Sequence, residues 1–68
     1  MEILAERLLE LRTERKISQA DLAKELGVSR GVVCYWETNQ SKPTAPNLLK
    51  LAKFFNVSAD YLIGLTND

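Results

Sequence analysis

Arg30, Gly31, Cys34, Tyr35 and Thr38 recur at i, i+1, i+4, i+5 and i+8, a spacing that aligns them along one side of a helix. Their chemistry is that of recognition. An arginine donates two hydrogen bonds to O6 and N7 of guanine, worth about 1–3 kcal/mol of discrimination against another base. Tyr35 can reach a base edge or a phosphate, while Cys34 and Thr38 are small enough to rest against a thymine methyl. Gly31 costs its helix about 1 kcal/mol relative to alanine; close approach of the backbone to DNA is one return for that cost, and simple tolerance is the other. Ser29, just before Arg30, belongs to the same end of the stripe. Gln19 adds a phosphate ligand at the start of the preceding helix, where free N–H groups favour an anion. Asn39, Gln40, Ser41 and Lys42 can hold the DNA backbone on the opposite flank, with Asn47 beside them.

The same inventory speaks against catalysis. There is no histidine, only one cysteine, no glycine-rich phosphate loop and no nucleophile–base pair, so no metal, cofactor or small-molecule site is expected. Cys34 invites a redox-switch reading, because Arg30 one turn earlier could stabilise a thiolate. A small residue fitted to a groove is the simpler account and is preferred.

Five helices are expected to position these groups, with no strand-like alternation anywhere. Helix 1 spans about residues 2–15, with Leu4, Leu8 and Leu11 as its inward stripe and Glu2, Glu6, Glu10 and Glu14 as a solvated row. Ser18 caps helix 2, Asp21 stands at the capping-box position, Leu22, Ala23 and Leu26 face inward, and Gly27 ends the helix. Val28 plugs the turn, Ser29 caps helix 3, and that helix runs to about Thr38. Thr44 caps helix 4, whose buried face is Leu48, Leu51, Ala52 and Phe55; Ser58 caps a short fifth helix. The segment from about residue 18 to 38 therefore reads as a helix-turn-helix within a compact all-α bundle, one domain over residues 1–68. Ala23 leaves room for the two helices to touch, and Gly27 permits the left-handed turn. Trp36 is assigned to the core rather than to base stacking.

Net charge is zero, which at first sight disfavours a nucleic-acid partner. The distribution answers this. Four glutamates outnumber Arg7 and Arg12 in the first fourteen residues, whereas Arg15, Lys16, Lys24, Arg30, Lys42, Lys50 and Lys53 outnumber Asp21, Glu25 and Glu37 in the next stretch. Positive charge thus gathers around the reading helix. A lone cysteine, no apolar run near the ~20 residues of a membrane span and no signal-peptide pattern together predict a cytoplasmic protein without a membrane partner.

Three segments, SQADLAKELGVS, VxxWE and LLKLAKFFNVSADYLIG, resemble the phage repressor and Cro-like (Xre-type) helix-turn-helix proteins, over roughly residues 4–65. The resemblance implies a five-helix, lambda-repressor-like fold and control of transcription. It also implies a homodimer on a partly palindromic double-stranded operator, with helix 3 as the recognition helix. It places a structural ion pair on Arg12 and Glu37, base reading on Arg30, Gly31, Cys34 and Tyr35, and phosphate binding on Gln19. The dimer surface would involve Tyr61 and neighbours such as Leu65; the residues alone leave Tyr61 open between core packing, dimer packing and partial exposure. Lys16 and Asn39 depart from the family's frequent glycines, so a strained turn is expected after helix 1. Competing readings are an antitoxin, a restriction-modification controller, or a protein-interaction module on the same fold.

Overall fold

The structure is a computed structural model describing residues 2–67; Met1 and Asp68, the two ends of the expected domain, lie outside the described residues. Five helices are present among the described residues: α1 (Glu2–Glu14), α2 (Gln19–Leu26), α3 (Arg30–Glu37), α4 (Ala45–Phe55) and α5 (Ala59–Ile63). Each after the first starts at a hydroxyl cap. The side chains of Ser18, Ser29, Thr44 and Ser58 accept the N–H of Asp21, Val32, Asn47 and Tyr61 at 3.0, 3.3, 3.4 and 2.9 Å. These bonds satisfy donors that the first helical turn leaves without an intrahelical partner. At α2 the cap is reciprocal, because Asp21 accepts the Ser18 N–H at 3.4 Å. Pro46 falls in the first turn of α4, where its missing N–H costs nothing.

The helices stop where the backbone turns left-handed. Gly27 ends α2 with φ 73° and Gly64 ends α5 with φ 87°. Lys16, Asn39 and Asn56 adopt the same region with φ 57°, 61° and 56°. For asparagine this is mild; for Lys16 it is a strained turn, which a β-carbon makes unfavourable. Two ends differ by one residue from the expectation. Helix 1 stops at Glu14 rather than Arg15 because the chain must enter the Lys16 turn, and α3 stops at Glu37, leaving Thr38 as its C-terminal cap before Asn39.

One apolar cluster joins the helices: Leu4 and Leu8 of α1, Leu22, Ala23 and Leu26 of α2, Val33 and Trp36 of α3, Leu51, Ala52 and Phe55 of α4, and Leu62 of α5. Helix α3 packs on α2 and α1, while α5 bridges α1 and α4. Leu11 and Leu48, expected inside, lie at the rim and are only partly buried, and Ala5 is buried instead. Val28 packs against the cluster from the turn.

Neighbouring leucines in α1 separate core from surface. Leu8 has no exposure and Leu9 is 43% exposed. Leu8→Ala should destabilise by about 2–5 kcal/mol, whereas Leu9→Ala should stay within about 0.5 kcal/mol, as read from urea midpoints at a common slope.

Candidate nucleic-acid interface

Because Val33 and Trp36 are sealed in the core, the helical repeat turns Gly31, Cys34, Tyr35 and Thr38 outward. Ser29, Arg30, Gly31, Tyr35 and Thr38 are exposed, Tyr35 by 51%, and Cys34 is half-buried. Asn39, Gln40, Ser41 and Lys42 continue this surface as an exposed loop, and Asn47 is half-buried nearby in sequence at the start of α4. Some polar groups here already have partners. The Ser29 hydroxyl is the α3 cap, and the Thr38 hydroxyl donates to the Cys34 carbonyl at 2.8 Å while accepting from Gln40 Nε2 at 3.0 Å. Thr38 thus offers its methyl more readily than its hydroxyl.

Beneath the surface lies a charged node. Arg12 Nε and Nη2 reach Glu37 Oε2 and Oε1 at 2.5 and 3.0 Å, a two-point pair between α1 and the last residue of α3. The side chains retain only 16% and 3% exposure. Arg12 Nη1 also donates to the Ile17 carbonyl at 2.8 Å, which fixes the segment leading into α2. Its hydrogen bond to Glu37 raises the guanidinium pKa above the ordinary value, against the opposing effect of burial and with help from the carboxylate charge.

Glu37 has a third donor. Gln19 Nε2 bonds Oε1 at 3.0 Å, and since a carboxylate only accepts, this fixes which way the amide faces. Gln19 Oε1 in turn accepts from Arg30 Nη1 at 3.5 Å. The first residues of α2 and α3 are therefore held side by side, with one amide N–H of Gln19 still available. Sequence reasoning had no signal for the Gln19–Glu37 bond, which joins residues that only the folded chain brings together.

The acidic row Glu2, Glu6, Glu10 and Glu14 is exposed along α1. Tyr61 is half-buried, with the Arg7 guanidinium 4.2 Å from its ring centroid, and Leu65 is 73% exposed. Among the described residues there is no cluster suited to a metal ion, no pocket, and no helix long and apolar enough to cross a membrane.

Comparison with known proteins adds a lineage to this geometry. A family model described as helix-turn-helix matches residues 8–62. The chain belongs to the Xre/Cro-like helix-turn-helix family. Family members similar to it include the HTH-type transcriptional regulator YobD of Bacillus subtilis (strain 168), 35% identical over 93% of this chain and 56% of that protein. Repressor protein C2 of Salmonella phage P22 is 39% identical over 91% of this chain and 29% of its own length. The chain thus spans about half or less of these relatives. The crystal structure of the P22 c2 repressor with synthetic operator 9T superposes with a TM-score of 0.85 at 39% identity, over 91% of this chain and 94% of that one.

The charged node carries a stability prediction. Arg12→Met or Glu37→Met alone strands a buried charge and should cost about 3–5 kcal/mol, whereas the double substitution should recover much of that loss. Chemical denaturation of all four proteins gives the coupling energy.

Proposed function

We propose that this chain is a sequence-specific double-stranded DNA-binding domain of a cytoplasmic transcriptional regulator, a repressor by preference, acting as a homodimer. The observation that carries the reading is the outward face of α3, left uncovered by the fold and flanked by Gln19 on one side and the 39–42 loop on the other. Helix α3 enters the major groove. Arg30 and Tyr35 read base edges, Cys34 and the Thr38 methyl pack against thymine methyls, and Gln19, Ser29, Asn39, Gln40, Lys42 and Asn47 contact the sugar–phosphate backbone. The operator-bound P22 repressor, similar over nearly its whole resolved length, supports this docking.

Tyr61 and Leu65 provide the contact between two copies related by a twofold axis. Their α3 helices then enter successive major grooves about 34 Å apart, which calls for a partly palindromic operator. The Arg12–Glu37 pair holds α3 at the angle this requires. Binding across a promoter excludes polymerase. The preference of a DNA reading over a protein-interaction module rests on Gln19, Arg30 and Lys42, which place polar and cationic groups along one face.

Selection of bound oligonucleotides from a random pool tests the whole reading, since it yields the sequence and the half-site spacing together. Arg30→Ala should relax preference at one position of each half-site, by about 1–3 kcal/mol. Lys42→Ala and Gln19→Ala should weaken every duplex alike, with Lys42→Ala lowering the salt slope by about 1. Absence of any duplex binding at ~50 mM salt would transfer the case to the interaction module.

A further inference from the structure

Lys16 strains the turn it occupies, and its side chain makes no polar contact that relieves the strain. The turn after α1 closes through two backbone hydrogen bonds, from the Lys16 N–H to the Thr13 carbonyl at 3.0 Å and from the Ile17 N–H to the Arg12 carbonyl at 3.3 Å. This closure requires a left-handed residue at position 16 whatever its side chain, and glycine adopts that conformation without strain. Asn39 and Asn56 occupy the same region with short amide side chains that tolerate it; lysine lacks that tolerance. Nor does the rest of Lys16 help. It is exposed, and its ammonium has no hydrogen-bond or ion-pair partner among the described residues. Arg7, Arg12, Arg15 and Lys50, by contrast, are all engaged with carbonyls or a carboxylate of the fold.

The turn is held beside the first residue of α2. The Arg12 guanidinium joins the Ile17 carbonyl to Glu37, and Glu37 accepts from Gln19 Nε2. Lys16 and Gln19 therefore border the same charged pair at the edge of α3. We infer that Lys16 is a phosphate-binding residue: its ammonium meets the DNA phosphate next to the one held by Gln19, and that contact offsets the strained backbone beneath it. The inference rests on the DNA-binding reading above and adds a contact which that reading does not contain. A lysine suits the place because it binds phosphate as a point charge on a flexible four-carbon stem, without demanding a fixed geometry. Each phosphate neutralised in this way releases condensed salt ions, so the contact has a signature that a purely structural residue lacks.

The test uses the 68-residue chain, its selected operator and the variants Lys16→Gln, Lys16→Gly and Lys16→Arg. Lys16→Gln keeps the strain and removes the charge. It should bind operator and random duplex alike about three- to tenfold more weakly at ~50 mM salt, with the slope of log affinity against log salt smaller by about 0.9. Lys16→Gly should show the same loss and melt about 4–8 °C above the parent. Lys16→Arg, which keeps the charge, should bind as the parent does. Duplexes carrying one uncharged methylphosphonate at a time locate the contact: one position in each half-site should weaken the parent and leave Lys16→Gln unaffected. An unchanged salt slope in Lys16→Gln, a methylphosphonate profile that it shares with the parent, or a Lys16→Gly protein no more heat-stable than the parent would overturn the inference. Failure of the parent to bind any duplex would instead overturn the DNA-binding reading itself.

Discussion

A carboxylate with almost no solvent contact must be compensated where it stands, and Glu37 dictates much of this molecule for that reason. Removing such a group from water costs several kcal/mol unless its lone pairs find donors of good geometry. Here three N–H groups supply them, two from Arg12 and one from Gln19. The pair links α1 to the end of α3, its arginine holds the Ile17 carbonyl, and its glutamate holds the first residue of α2. Three helices share one electrostatic solution, beside the packing of Val33 and Trp36 that turns the other side of α3 outward.

The caps, turns and core stripes were legible because they are local. A serine before a helix, an acid three residues on and a glycine after the last leucine each act through their own neighbours. Depth was less legible than direction: Leu11 and Leu48 lie on the correct faces, yet a stripe does not tell whether a neighbouring helix reaches far enough to cover them. The left-handed Asn56 that ends α4 was also missed. Of the candidate site, the outward stripe followed from periodicity alone. The Arg12–Glu37 pair entered only through family resemblance, and the Gln19–Glu37 bond not at all, since both span positions with no periodic relation. Arg15 belongs with them: it donates to the Phe54 and Phe55 carbonyls at 3.2 and 3.0 Å and lies 5.9 and 5.4 Å from their rings, a cation at the negative end of α4.

Zero net charge and a nucleic-acid partner are compatible because charge is segregated rather than absent. The exposed glutamates run along α1, whereas Arg30 and Lys42 accompany the α3 surface. Charge segregated in this way offers phosphates a cationic face while supplying less bulk attraction than a uniformly basic surface.

Arg7 couples the motion of α1 to that of α5 and the residues after it. Its guanidinium donates to the carbonyls of Tyr61 and Thr66, the latter at 2.8 Å, and lies over the Tyr61 ring, so a residue in the second turn of α1 grips the far end of the chain. Terminal helices usually fray first and independently. With this clasp, the second turn of α1 and the segment from Tyr61 to Thr66 are held together, and amide protons near both should exchange through one shared opening rather than two.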